Sequence, residues 1–151
     1  MVDGILRMRN RVFTLPDYIN PATGRANWGD GSSLGAGAMV FATIRNLLFI
    51  DNPERLDLFP LPRESWFLPG NELRIEDVPS RFGLISLRVT STVNEIQLHF
   101  DKLPKFVPPD IMINLPYKTK IKQEDDFILK REEDTSFIIN GWPSIVRFLR
   151  V

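Results

Sequence analysis

The chain has 151 residues with 43% hydrophobic content, enough for one ordinary core and within the common size of a single domain. Lysine plus arginine total 19 and aspartate plus glutamate total 19, so the formal charge is zero and no long-range field draws nucleic acid or an anionic membrane. Cysteine is absent and His99 is the only histidine, which removes disulfides, thiolate chemistry and sulfur-ligated metals; no cofactor and no metal are expected.

At the start, Met1 to Arg9 lacks the uninterrupted apolar core and small-residue cleavage site of a secretory signal, so a soluble, cytoplasmic protein is expected. Val2 to Phe13 is a short, weakly amphipathic helix candidate that Leu15-Pro16 ends. Asp30-Gly31-Ser32-Ser33 offers capping side chains for the orphan amides of a first turn. Leu34 to Ile50 then continues as a helix without proline, until Asp51, Asn52 and Pro53 stop it. On a helical wheel Leu34, Ala38, Phe41 and Leu48 form one face and Met39, Val40, Ile44, Leu47 and Ile50 another. Apolar residues thus cover most of the circumference, and such a helix wants neighbours on several sides. Arg45, Asn46 and two glycines interrupt the run, which is too short to span a bilayer.

After Pro53 the period changes from helical to alternating. Ile85, Leu87 and Val89 interleave with Ser86, Arg88 and Thr90, and Ile96, Leu98 and Phe100 with Gln97, His99 and Asp101, which predicts two half-buried antiparallel strands in a hairpin. Leu73 and Ile75 predict a strand before it; Ile111, Ile113 and Leu115, and then Phe127 to Leu129, predict strands after it. Lys118 to Asp134 is dense in both signs of charge, as exposed strand edges and loops are. Phe137-Ile138-Ile139, Asn140-Gly141 and Ile145 to Leu149 read as a closing hairpin with Trp142-Pro143 lengthening its loop. The expected fold is mainly β (α+β): an antiparallel β-sandwich-like domain over 53–151, preceded by a helical segment over 1–52 with one or two helices.

The constellation that could carry chemistry is Leu15-Pro16-Asp17-Tyr18-Ile19-Asn20-Pro21-Ala22-Thr23-Gly24, followed by Asn27-Trp28-Gly29-Asp30-Gly31. Carboxylates beside tyrosine and tryptophan suit a sugar site, because the rings stack on apolar sugar faces while the carboxylates bind hydroxyls or manage protons. The candidates are Asp17 as a catalytic carboxylate and Tyr18, Trp28 and Asp30 as substrate contacts. Each also has a simpler reading: Asp30 as a helix N-cap, Asp17 as a solvated loop carboxylate, and Trp28 and Trp66 as core or interface anchors. His99 falls among the polar residues of its strand, which predicts a solvent-facing position.

These residues carry a resemblance. Pro16-Asp17 through Asn20-Pro21 and Thr23-Gly24, then Trp28-Gly29-Asp30-Gly31, then an apolar helix ending in Arg45-Asn46-Leu47-Leu48, resemble the end of (α/α)6-barrel glycoside-hydrolase-like proteins related to glucoamylases and glycogen-debranching enzymes. Trp66-Phe67-Leu68-Pro69-Gly70 and Pro79-Ser80-Arg81-Phe82-Gly83-Leu84-Ile85-Ser86-Leu87 extend the similarity, which covers roughly residues 11 to 115. It implies that the apolar helix is the last helix of a barrel and that the β part is its C-terminal portion. Such barrels cleave glycosidic bonds between two carboxylates. Where relatives can carry glutamate after the proline, this chain has the shorter Asp17, and the opposing acid would lie in helices this chain lacks.

The expectation is therefore a non-catalytic accessory or structural β domain associated with a carbohydrate-active protein. The alternative is a subunit that completes a glycosidase site supplied by another polypeptide. A homo-oligomer through the Leu34 to Ile50 helix is the expected assembly, with carbohydrate or a barrel polypeptide as the other partners.

Overall fold

The computed structural model describes residues 18–20, 22–23, 26–28, 34–122 and 127–151. The chain divides into two compact units, Met1–Asn46 and Leu47–Val151, with the division inside the last turn of a helix.

In the first unit, β1 (Tyr18–Ile19) pairs antiparallel with β2 (Ala26–Trp28), Tyr18 standing opposite Trp28. The Asn20 side chain caps the intervening turn: its Oδ1 accepts the amides of Ala22 (2.9 Å) and Thr23 (3.3 Å), a local bond that asparagine forms readily. The helix α1 (Leu34–Leu48) follows. Ala36, Val40 and Ile44 repeat every four residues as a half-buried stripe, while Met39 (74%) and Phe41 (59%) are exposed. The helix candidate over Val2 to Phe13 lies outside the described residues.

α1 stops two residues short of the expected Ile50 because the next residues are taken into a sheet. Phe49 is fully buried and begins β3 (Phe49–Asp51), which pairs with β4 (Arg55–Leu58). Asn52 and Pro53 then turn this hairpin, with reciprocal backbone bonds between Asn52 and Arg55. Burying a phenylalanine stabilises by roughly 1.5–3 kcal/mol, more than one further turn of helix offers.

The second unit is mainly β. Its remaining strands are β5 (Glu72–Ser80), β6 (Gly83–Ser91), β7 (Glu95–Phe100), β8 (Asp110–Asn114), β9 (Thr119–Lys122), β10 (Ile128–Glu132), β11 (Ser136–Asn140) and β12 (Ile145–Arg150). They form two five-stranded sheets, β10-β11-β8-β4-β3 and β5-β6-β7-β12-β9. Neighbours are antiparallel throughout except β4 and β8, which run parallel. Alternate residues of both sheets enter one core: Leu56, Ile111, Phe137 and Ile139 from the first, Ile85, Leu87, Leu98 and Phe148 from the second. The Phe137 and Phe148 rings meet with centroids 4.9 Å apart and join the two layers. This is the sandwich-like arrangement that the alternation predicts.

The β6–β7 hairpin forms with Arg88 opposite His99 and Val89 opposite Leu98. The charged stretch from Lys118 to Asp134 supplies β9 and β10, each the outermost strand of its sheet. The closing hairpin does not form. β11 pairs with β8 and β10, whereas β12 pairs with β7 and β9, so the Asn140-Gly141 turn carries the chain from one sheet to the other. The Trp142 ring packs on Phe100 (centroids 4.8 Å) and its indole N–H donates to the Lys102 carbonyl (3.1 Å). Those contacts draw the chain after Gly141 (φ 112°) toward the second sheet and away from its sequence neighbour.

Candidate functional site

The outer face of the second sheet carries a built polar cleft, and it begins with an irregularity in β5. Ile75 stands opposite Leu87 and Val78 opposite Ile85, so Glu76 and Asp77 together face the single residue Ser86. Asp77 has left-handed backbone (φ 49°), an uncommon conformation for a residue with a Cβ. Ser86 compensates it: its hydroxyl accepts the Asp77 amide (2.9 Å) and donates to Asp77 Oδ1 (3.0 Å). Lys102 Nζ reaches the same carboxylate oxygen from beyond β7, at 2.9 Å. The Asp101 amide donates to the Ser86 carbonyl (3.1 Å), tying the end of β7 to the bulge.

Around this network lies a cleft of about 320 Å³, whose remaining walls are Arg74, Glu76, Arg88 and Asp101. Arg74 pairs with Glu76 at 2.7 Å. Arg88 stands in register between Arg74 on β5 and His99 on β7, and its Nε is shut off from solvent with no hydrogen-bond partner.

The ionisation of these groups follows from their neighbours. The hydrogen bonds from Lys102 and Ser86 hold the Asp77 carboxyl below the usual carboxylate value, and the bond to Asp77 raises the Lys102 ammonium. Both are therefore charged at neutral pH. The Ser86 hydroxyl is engaged twice, and Lys102 holds its proton too firmly to serve as a base for it. The arrangement sets fixed charges and hydrogen-bonding groups around the cleft.

His99 is half-buried on the outer face, less open than its alternation predicts, because strands flank it on both sides. Desolvation lowers its pKa first, then the charges of Arg88 and Arg147, against opposition from Asp101 and Glu72. The folded value lies below the ordinary 6.5, so the unfolded chain binds more protons in that interval. This contribution to stability is present above 6.5 and is lost as the pH falls through the folded value. Urea midpoints taken between about pH 7.5 and about pH 5 are expected to fall with pH, and His99→Gln is expected to flatten that part of the profile.

Asp17 and Asp30 lie outside the described residues. Tyr18 and Trp28 are brought to directly opposite positions in the β1–β2 pair. Trp66 packs against the hydrophobic core, edge-on to Phe59 with centroids 6.4 Å apart. The cleft residues were not among the sequence candidates. Their one sequence signal is the three-residue spacing from Ile75 to Val78, which breaks the strand period where Glu76 and Asp77 bulge.

Among the described residues no group of three His, Cys, Asp or Glu side chains could hold a metal ion, and no helix is long and apolar enough to cross a membrane. Comparison with protein-family models, with curated proteins and with solved structures returned no match.

Proposed function

We propose that this chain is a non-catalytic accessory β domain of a carbohydrate-active, glycoside-hydrolase-like protein. The observation that carries the non-catalytic part is the Asp77–Lys102 pair, in which each group holds the other charged while Ser86 is engaged with Asp77. The carbohydrate part rests on the motif resemblance, with the loop bearing Asp17, Tyr18, Trp28 and Asp30 as the sugar-contacting region. The expected result is no turnover of α- or β-glucosides or maltooligosaccharides by the purified chain, since by the resemblance the acid opposing Asp17 would belong to other barrel helices. Turnover that disappears in Asp17→Asn overturns this reading.

The exposed Met39 and Phe41 of α1 favour a second reading, in which the chain supplies the last helix of a barrel to another polypeptide and completes its active site. A second copy of the chain is the simplest cover for that helix. At roughly 25 cal/mol per Å² of apolar surface, a buried stripe of a few hundred Å² contributes several kcal/mol before association costs. Light scattering at micromolar concentration is expected to show a dimer or larger assembly that Phe41→Asp weakens. A strict monomer removes the self-association part of this proposal.

A further inference from the structure

We propose that the cleft on the outer face of the second sheet binds a small polyhydroxylated carboxylate of the sugar-acid class, with Arg88 receiving the carboxylate and Asp101 the hydroxyls. The inference goes beyond the proposed function, whose sugar-contacting region is the separate loop bearing Asp17, Tyr18, Trp28 and Asp30.

Two groups in the cleft, Arg88 and Asp101, make no side-chain hydrogen bond or ion pair with another described residue, although Asp101 acts electrostatically on Lys102 and His99. Arg74 is matched by Glu76 at 2.7 Å and Lys102 by Asp77 at 2.9 Å. Arg88 makes no ion pair with another described residue, and its Nε is enclosed without an acceptor. It also stands directly across from Arg74, a like-charge pairing that a sheet does not favour unless something anionic lies over it. Asp101, which follows β7 beside Ser86, makes no side-chain bond to another described residue either, although its amide is held to Ser86. A ligand with one carboxylate fits the first group through the terminal guanidinium nitrogens, the enclosed Nε being out of reach, because a guanidinium binds a planar anion through paired N–H donors. Hydroxyl donors elsewhere on the same molecule fit the second. A volume of about 320 Å³ is at the small end of ligand pockets and suits a single sugar-sized molecule. The walls carry no aromatic residue, so recognition here is by charge and hydrogen bonds and not by ring stacking.

His99 makes the test direct, because it is the only histidine of the chain and stands opposite Arg88. The charged groups acting on it are Arg88 from β6, Arg147 from β12, Asp101 from the end of β7 and Glu72 from β5. A carboxylate on Arg88 offsets one of the two cations that depress it. In an NMR titration of the full chain, glucuronate is expected to bind and raise the His99 pKa, whereas glucose, which lacks the carboxylate, is expected to do neither. Arg88→Met keeps the aliphatic stem and removes the donors, and is expected to weaken glucuronate binding by about tenfold or more. Should Arg88→Met not fold, Arg74→Gln serves in its place, with a smaller loss expected in the same direction. Absence of glucuronate binding at millimolar concentration, equal binding of glucose, or binding unchanged in the folded variants overturns the proposal. Tighter binding of inorganic phosphate than of glucuronate overturns the carboxylate assignment. A negative binding result leaves the non-catalytic reading standing, since only turnover removes that.

Discussion

Phe148→Ala is expected to destabilise the protein by about 3–5 kcal/mol, a large part of the roughly 5–15 kcal/mol that holds a typical domain together. Phe148 has no exposed surface and lies on β12, between β7 and β9, where its ring meets Phe137 of the other sheet at 4.9 Å. Truncation removes the transfer free energy of the ring, leaves a cavity between two layers that cannot both collapse into it, and deletes an aromatic pair of about 0.5–1.5 kcal/mol. The neighbouring Leu149 points to the outer face and is 44% exposed, so Leu149→Ala is expected to stay within about 0.5 kcal/mol. Urea unfolding of the two variants, with unchanged m-values, reads the difference. Comparable costs at 148 and 149 would mean that β12 presents the wrong face to the core.

Gly83→Ala is expected to cost more than Gly70→Ala. Both glycines have positive φ, +112° and +86°, so a side chain at either incurs strain of about 1–3 kcal/mol. At Gly70 an added Cβ meets nothing within 4 Å; at Gly83 it would stand 2.9 Å from the Lys105 amide nitrogen and 3.0 Å from Lys105 Cβ. The contact is with backbone, which cannot rotate away. The Phe106 amide donates to the Phe82 carbonyl (2.9 Å), and Ser80 Oγ accepts the Phe82 amide (3.1 Å) and donates to the Gly83 carbonyl (2.7 Å), so the turn itself is also held in place. The alanine therefore has to push the segment around Lys105 off the β5–β6 turn. Faster amide exchange at Phe106 in Gly83→Ala, absent in Gly70→Ala, is the accompanying signature. Equal stability losses in the two variants would show that the close approach contributes nothing.

Where one face of a strand is buried, its residues alternate, and that local pattern was legible in the sequence. Ile85, Leu87 and Val89 against Ile96, Leu98 and Phe100 identify β6 and β7, and the short connection between them favours the hairpin that forms. The charge density from Lys118 to Asp134 likewise marks β9 and β10 as edges, since an outermost strand must discourage further pairing. The polar cleft was hidden for the same reason that alternation is readable. Arg74, Arg88, Ser86 and Lys102 are ordinary outward-facing polar residues in one dimension, and only the register of β5 on β6 and the bulge at Asp77 bring them together.

The sequence by itself determined a mainly β chain, the inward and outward faces of its longer strands and the helix from Leu34, all consequences of periods that act within one segment. Only the tertiary structure decided which sheet each strand joins. Asn140-Gly141 carries a hairpin signal, yet β11 and β12 part because Trp142 finds Phe100 and the Lys102 carbonyl on the far sheet. Phe49 leaves the helix for a core position, and β4 lies parallel to β8 across more than fifty residues of chain. Contacts between residues so far apart depend on shapes that form only when both layers are present, so no local period records them.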